Sequence, residues 1–105
     1  MKNVLIMCNA GMSSSLIAKK ATEFFDNSNK DINVEATTVM EGEEIIKNGD
    51  YDLYLISPQM RMHLKKFEEV GKDNNKKVEQ IPFNAYAPTQ SGVKNLTDII
   101  LEALK

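Results

Sequence analysis

The chain has 105 residues, 42% of them apolar, which suits one domain built around one hydrophobic core. Its 13 basic and 15 acidic residues are interspersed and leave a net charge of −2, so the basic face needed for nucleic acid is lacking and neither DNA nor RNA is an expected partner. A single cysteine, Cys8, excludes an internal disulfide and a cysteine-built zinc site; no motif calls for a metal or cofactor, and the unpaired thiol points to a cytoplasmic, reducing location.

Apolar runs such as Val4–Met7 fall far short of the ~20 residues that cross a bilayer and of the ~7–15-residue core of a signal peptide, so no direct membrane insertion is expected. The same short run and the bulk of Met7 speak against a lipoprotein cleavage site before Cys8.

The first predicted element is a strand over Asn3–Met7. It runs into Cys8 and then Asn9-Ala10-Gly11-Met12-Ser13-Ser14-Ser15, after which Leu16, Ile17, Ala21, Phe24 and Phe25 recur at helical spacing until Asn27-Ser28-Asn29. A strand that ends in small residues opening a helix presents backbone N–H groups and the positive end of the helix dipole at one spot, which is an anion site. Phosphate is the expected anion. Helix N-termini also favour the thiolate, so Cys8 is the candidate nucleophile. The expected phosphate-binding residues are Asn9, Ala10, Gly11, Met12, Ser13, Ser14 and Ser15, with the backbone N–H groups from Ala10 to Ser15 and the hydroxyls of Ser13, Ser14 and Ser15 as the donors. Hydrogen bonds to charged groups contribute ~1.5–3 kcal/mol each. The contrary reading, a purely structural domain with Cys8 as a small buried hydrophobe, leaves the Ala-Gly-Met-Ser-Ser-Ser run without a packing purpose.

A second strand is expected over Ile32–Val39, then a short helix from Glu43 to Lys47 that stops at Asn48-Gly49. A third strand, Leu53–Ser57, precedes a helix marked by Met60, Leu64, Phe67 and Val70. A fourth, Val78–Ile81, precedes a closing helix marked by Val93, Leu96, Ile100, Ala103 and Leu104. His63 falls beside the apolar stripe of the third helix, which makes it a packed or half-buried residue rather than a second phosphorylation site. Lys19, Lys20, Lys65 and Lys66 read as solvated helix faces. Met12 lies next to Cys8 outside the helical periodicity and suits an apolar contact with a partner protein.

Strands separated by helices pair in parallel through right-handed crossovers. The expected fold class is therefore α/β, with residues 1–105 forming a single domain: an open four-stranded parallel sheet, doubly wound, with helices on both faces. Ligands in such sheets sit beyond the carboxyl ends of the strands, where strand order reverses. Cys8, Ser57-Pro58-Gln59 and the segment from Phe83 to Gly92 should converge there, with Gln59 and Tyr86 at the periphery of the site.

The run from Leu5 to Leu16 closely resembles the cysteine loop of the B component of the bacterial sugar phosphotransferase system, of the lactose, cellobiose and diacetylchitobiose type. Its pattern is Cys-x-Ala-Gly-Met-Ser-[ST]-Ser-Leu, and every fixed place is met from Cys8 to Leu16. The likeness continues through Glu35-Ala36, Pro58-Gln59 and Tyr86, over essentially the whole chain. The resemblance implies a phosphotransferase component in which Cys8 takes a phosphoryl group from a histidine of the A component. It then passes the group to a sugar held in the membrane-spanning C component. The sugar, a β-linked disaccharide such as cellobiose, chitobiose or lactose, would be chosen by that C component.

The chain is also similar to low-molecular-weight tyrosine phosphatases, which share an N-terminal strand, a doubly wound sheet and a Cys-x5-Arg loop. The arginine place is Ser14 here, and Arg61 is the only arginine of the chain. A phosphatase needs that guanidinium and a general acid, and no acidic residue lies between Gln80 and Lys94. A phosphoryl carrier is the stronger expectation.

Overall fold

The computed structural model describes residues 1–8, 11–38 and 42–105, without the side chains of residues 11–13, 38 and 42. Strands β1 (Lys2–Cys8), β2 (Ile32–Thr38), β3 (Leu53–Ile56) and β4 (Val78–Gln80) alternate with helices α1 (Gly11–Asn27), α2 (Gly42–Asn48), α3 (Leu64–Asp73) and α4 (Gln90–Ala103). The strands form one sheet in the order β2-β1-β3-β4, with every neighbouring pair parallel. This is the architecture expected from the strand and helix alternation.

Side-chain alternation along the central strands divides the core in two. Val4 and Ile6 of β1 and Leu53 and Leu55 of β3 pack beneath α1 and α4 with Ile17, Ala21, Phe25, Leu96 and Ile100. Leu5 and Met7 of β1 and Tyr54 and Ile56 of β3 face the other way, against Ile46 of α2 and Phe67 of α3. Both central strands are apolar on both faces, as a sheet covered by helices on each side requires. Thr22 ties α1 to the edge strand β2, its Oγ1 accepting from the Val34 N–H at 2.9 Å.

The helix stops follow local chemistry. Asn29, just past α1, and Asn75, just past α3, both adopt φ of 60°, the left-handed turn that asparagine tolerates. The N–H groups that follow, Lys30 and Lys76, return to the carbonyls of Phe25 and Gly71 at 2.9 and 2.7 Å. Thr89 caps α4, accepting from the Gly92 N–H.

The third helix begins later than its apolar spacing predicts. Residues Pro58–His63 wind as a 3-10 helix interrupted at Met60, whose φ of −106° and ψ of 16° are not helical, and α3 starts only at Leu64. Pro58 has no N–H and suits the first position of a turn. Met60 is buried all the same, so its spacing reported burial correctly and winding incorrectly. Val39, at the end of the expected second strand, lies outside the described residues.

Candidate functional site

β1 is flanked by β2 on one side and β3 on the other, so the chain leaves β1 and β3 in opposite directions and opens a crevice between their carboxyl ends. Ligands of open α/β sheets gather at such a switch point. Cys8 is the last residue of β1, and α1 opens at Gly11, so the thiol stands where the sheet meets a helix N-terminus. Four N–H groups of a first helical turn lack partners within the helix and carry the positive end of its dipole.

Ser14 reaches the thiol because of helical periodicity. Ile17, Ala18, Ala21 and Phe25 form the buried stripe of α1, and Ser14 occupies the same stripe one turn earlier. Its side chain is thereby aimed at the end of β1, and its Oγ lies 2.8 Å from Cys8 Sγ, with both residues buried. Ser15 is exposed. Gly11, Met12 and Ser13 contribute backbone to the first turn of α1, with their side chains outside the description, and Asn9 and Ala10 lie outside the described residues.

Tyr86 comes from the far end of the sequence, in the turn after β4, where its N–H bonds the Phe83 carbonyl at 3.2 Å. It packs half-buried on the α1/α4 side of the core. Burial, then the charge on Cys8 and a hydrogen bond to it, push the Tyr86 hydroxyl up to about 12, while a hydrogen bond with Ser14 pulls the other way. The phenol is therefore a neutral donor at ordinary pH. Buried Cys8 and Ser14 and half-buried Tyr86 form one polar cluster on the α1/α4 side of the sheet. Such a cluster argues against Cys8 as a mere packing residue.

Gln59 is on the exposed side of the 3-10 helix after β3, at the same end of the sheet. Gln80, at the end of β4, carries no motif and was not anticipated. Its Nε2 lies 3.0 Å from each of the carbonyl oxygens of Ile56, Ser57 and Ile81, so one side chain fixes the ends of β3 and β4 together. His63 is half-buried with its ring 6.2 Å from that of Phe67, a packing position as expected. Arg61 is exposed in the 3-10 helix, while Ser14 stands where a phosphatase loop carries its guanidinium.

Three large apolar residues stand exposed on the elements that follow β1, β3 and β4. Leu16 in the second turn of α1, Met62 after β3 and Phe83 after β4 are 45%, 82% and 67% exposed. Apart from Met1, they are the exposed large hydrophobic residues among those described.

A groove of about 580 Å³ opens on the opposite face of the sheet, lined by Leu5, Glu35, Ala36, Glu44 and Tyr51 among others. Its two carboxylates would repel a phosphate. Among the described residues, no group of His, Cys, Asp and Glu could hold a metal ion, and no helix is long and apolar enough to cross a membrane.

The sequence profile described as "PTS system, Lactose/Cellobiose specific IIB subunit" matches residues 3–97. The oligo-beta-mannoside-specific EIIB component of a PTS system from Bacillus subtilis is 29% identical over 86 residues, 82% of each chain. The lactose-specific IIB domain of the phosphoenolpyruvate:carbohydrate phosphotransferase system from Streptococcus pneumoniae superposes with a TM-score of 0.84 at 19% identity, over 99% of this chain and 98% of that one. A cellobiose-specific IIB component from Borrelia burgdorferi gives 0.72 at 24% identity, over 98% and 91%.

Proposed function

Because the chain belongs to the lactose/cellobiose-specific IIB subunits of the sugar phosphotransferase system, we propose that Cys8 is its phosphoryl-carrying residue, charged by a phosphohistidine of an A component and discharged onto a sugar in a membrane C component. The observation that carries this reading is the placement of Cys8 Sγ at the β1/β3 switch point, at the mouth of α1, with the hydroxyl of Ser14 at 2.8 Å and that of Tyr86 bonded to it.

In the first step the Cys8 thiolate attacks the phosphorus of the phosphohistidine. An S–P bond forms, the P–N bond breaks, and the imidazole leaves with the electron pair and takes up a proton. In the second step a sugar hydroxyl attacks the same phosphorus. An O–P bond forms, the S–P bond breaks, the hydroxyl proton passes to solvent, and the sulfur leaves as thiolate. The protein contributes a nucleophile of good leaving ability and donors for the phosphoryl oxygens at the α1 N-terminus.

A neutral set of donors suits a carrier. A guanidinium would bind the phosphoryl group bidentately and stabilise attack by water, whereas hydroxyls and backbone N–H groups hold it less strongly. At 1% exposure, the thiol is also screened from water and oxidants until a partner engages the surface over it. Leu16, Met62 and Phe83 supply the apolar contact for that engagement. A and C components would use the surface in turn, since both must reach one sulfur. A β-linked disaccharide is the sugar class suggested by the names of the relatives.

Incubation with a phosphorylated A component of a cellobiose or lactose system, followed by mass spectrometry, tests the reading. Label on Cys8, iodine-labile as a thiophosphate and absent from Cys8→Ser, is the expected result. Label on His63, or undiminished labelling of Cys8→Ser, would overturn it.

A further inference from the structure

Two buried side-chain polar atoms lack a hydrogen-bond partner among the described residues: Ser57 Oγ and Gln80 Oε1. A buried hydroxyl left unpaired costs ~1–3 kcal/mol and calls for an explanation. Gln80 Oε1 is only an acceptor, so it offers an anion nothing. Ser57 has a proton to give.

The backbone around Ser57 is fully engaged. Its N–H donates to the Met7 carbonyl at 3.0 Å, and its carbonyl accepts from the Met60 N–H and from Gln80 Nε2, each at 3.0 Å. The residue is thus held in place from β1, from the 3-10 helix and from β4, and its hydroxyl is the one group left over. Ser57 is fully buried.

The register gives the direction of that hydroxyl. Met7 pairs with Ile56, so the next places along the two parallel strands are Cys8 and Ser57, side by side across the switch point at a strand spacing of about 4.8 Å. Val4 and Ile6 share the α1/α4 face with Leu53 and Leu55. The same alternation carries Cys8 and Ser57 to that face, since Ser57 keeps an extended backbone at φ −63° and ψ 156°. In this state the Cys8 sulfur is turned to Ser14. A phosphoryl group on that sulfur adds an S–P and a P–O bond to its reach and brings acceptor oxygens toward the neighbouring strand end.

We propose that Ser57 is a phosphoryl-binding residue of this carrier, its hydroxyl donating to an oxygen of the phosphoryl group on Cys8, so that the group is held from the β3 side as well as from α1. The inference rests on the carrier reading of Cys8. It explains why an unpaired hydroxyl is kept in a dry place: the partner arrives with the phosphoryl group and leaves with it, and the site changes from unsatisfied to satisfied without moving the backbone.

The test compares wild-type protein with Ser57→Ala, both full length, in phosphoryl exchange with a phosphorylated A component of a cellobiose system. The readouts are the equilibrium fraction of phospho-Cys8, its 31P resonance and thermal unfolding of the free protein. Loss of one donor to a charged group should shift the exchange equilibrium against phospho-Cys8 by on the order of tenfold to a hundredfold and move the resonance. Removing an unpaired hydroxyl should leave the unfolding midpoint unchanged or raised. A sharply lowered midpoint would assign Ser57 a structural partner and overturn the proposal. An unchanged equilibrium and resonance would overturn it while leaving the carrier reading intact. Failure of the wild-type protein to accept the group on Cys8 would remove both.

Discussion

The hydroxyl of Ser14 lies 2.8 Å from the sulfur of Cys8, and both are buried. The contact joins the end of β1 to the inward stripe of α1, six residues further on. In a phosphatase of similar loop spacing that place belongs to a guanidinium. Here a neutral hydroxyl faces the sulfur, and on the carrier reading proposed above that favours passing a phosphoryl group to an acceptor over losing it to water.

Ser14→Ala should therefore slow phosphoryl uptake by Cys8 roughly tenfold or more, the effect of one donor to a charged group. Quench-flow transfer from the A component measures the rate. Hydrolysis of an aryl phosphate by the wild-type protein should stay at background, and robust Cys8-dependent turnover with saturation would identify a phosphatase instead.

Tyr86 is expected to act through its proton. With its hydroxyl pushed up to about 12 from an ordinary 10, the neutral form is favoured by folding. The associated stability is fully present below pH about 10 and is lost as pH rises toward about 12. In denaturant titrations, the stability advantage of the wild type over Tyr86→Phe should shrink across that window. Phosphoryl uptake by Tyr86→Phe should be slower at neutral pH, where the phenol is a donor.

Phe83, 67% exposed and three residues before Tyr86, is expected to serve docking rather than folding. Phe83→Asp should lower the efficiency of transfer by about tenfold through weaker association, with an unfolding midpoint close to that of wild type. Titration of the rate against A component concentration separates weaker association from slower chemistry.

Gly49 is expected to matter for stability alone. A Cβ at this position would collide with the Ile45 carbonyl oxygen and the Tyr54 hydroxyl, which are hydrogen-bonded to each other at 3.2 Å. Gly49→Ala should destabilise the protein by about 1–3 kcal/mol. Once folded, the variant should transfer phosphate at the wild-type rate, because the collision lies between α2 and β3, on the face of the sheet opposite Cys8.

The order of strands and helices and the position of Cys8 between β1 and α1 were legible in the sequence, because both depend on patterns within a few neighbouring residues: apolar alternation, helical spacing and small residues at a turn. The role of Ser14 was only half legible. It stood among three serines, and only the helical phase of α1, with Ile17, Ala21 and Phe25 turned inward, selects it over the exposed Ser15. Winding at Met60 was not legible, since burial of a side chain does not distinguish a 3-10 turn from an α-helix.

What only the tertiary structure decided is which distant residues meet the sulfur. Alternating strands and helices fit several strand orders. The order β2-β1-β3-β4 is what sets β3 beside β1, so that Ser57 follows the Met7 and Ile56 pair and Gln80 reaches across from β4 to hold the end of β3. Tyr86, seventy-eight residues after Cys8 in the numbering, was expected at the periphery of the site from its loop, but the bond of its hydroxyl to the sulfur depends on the same order. Local sequence reports which way a side chain faces within its own element, whereas the neighbours it finds there depend on sheet order and register, which arise from packing the whole chain at once.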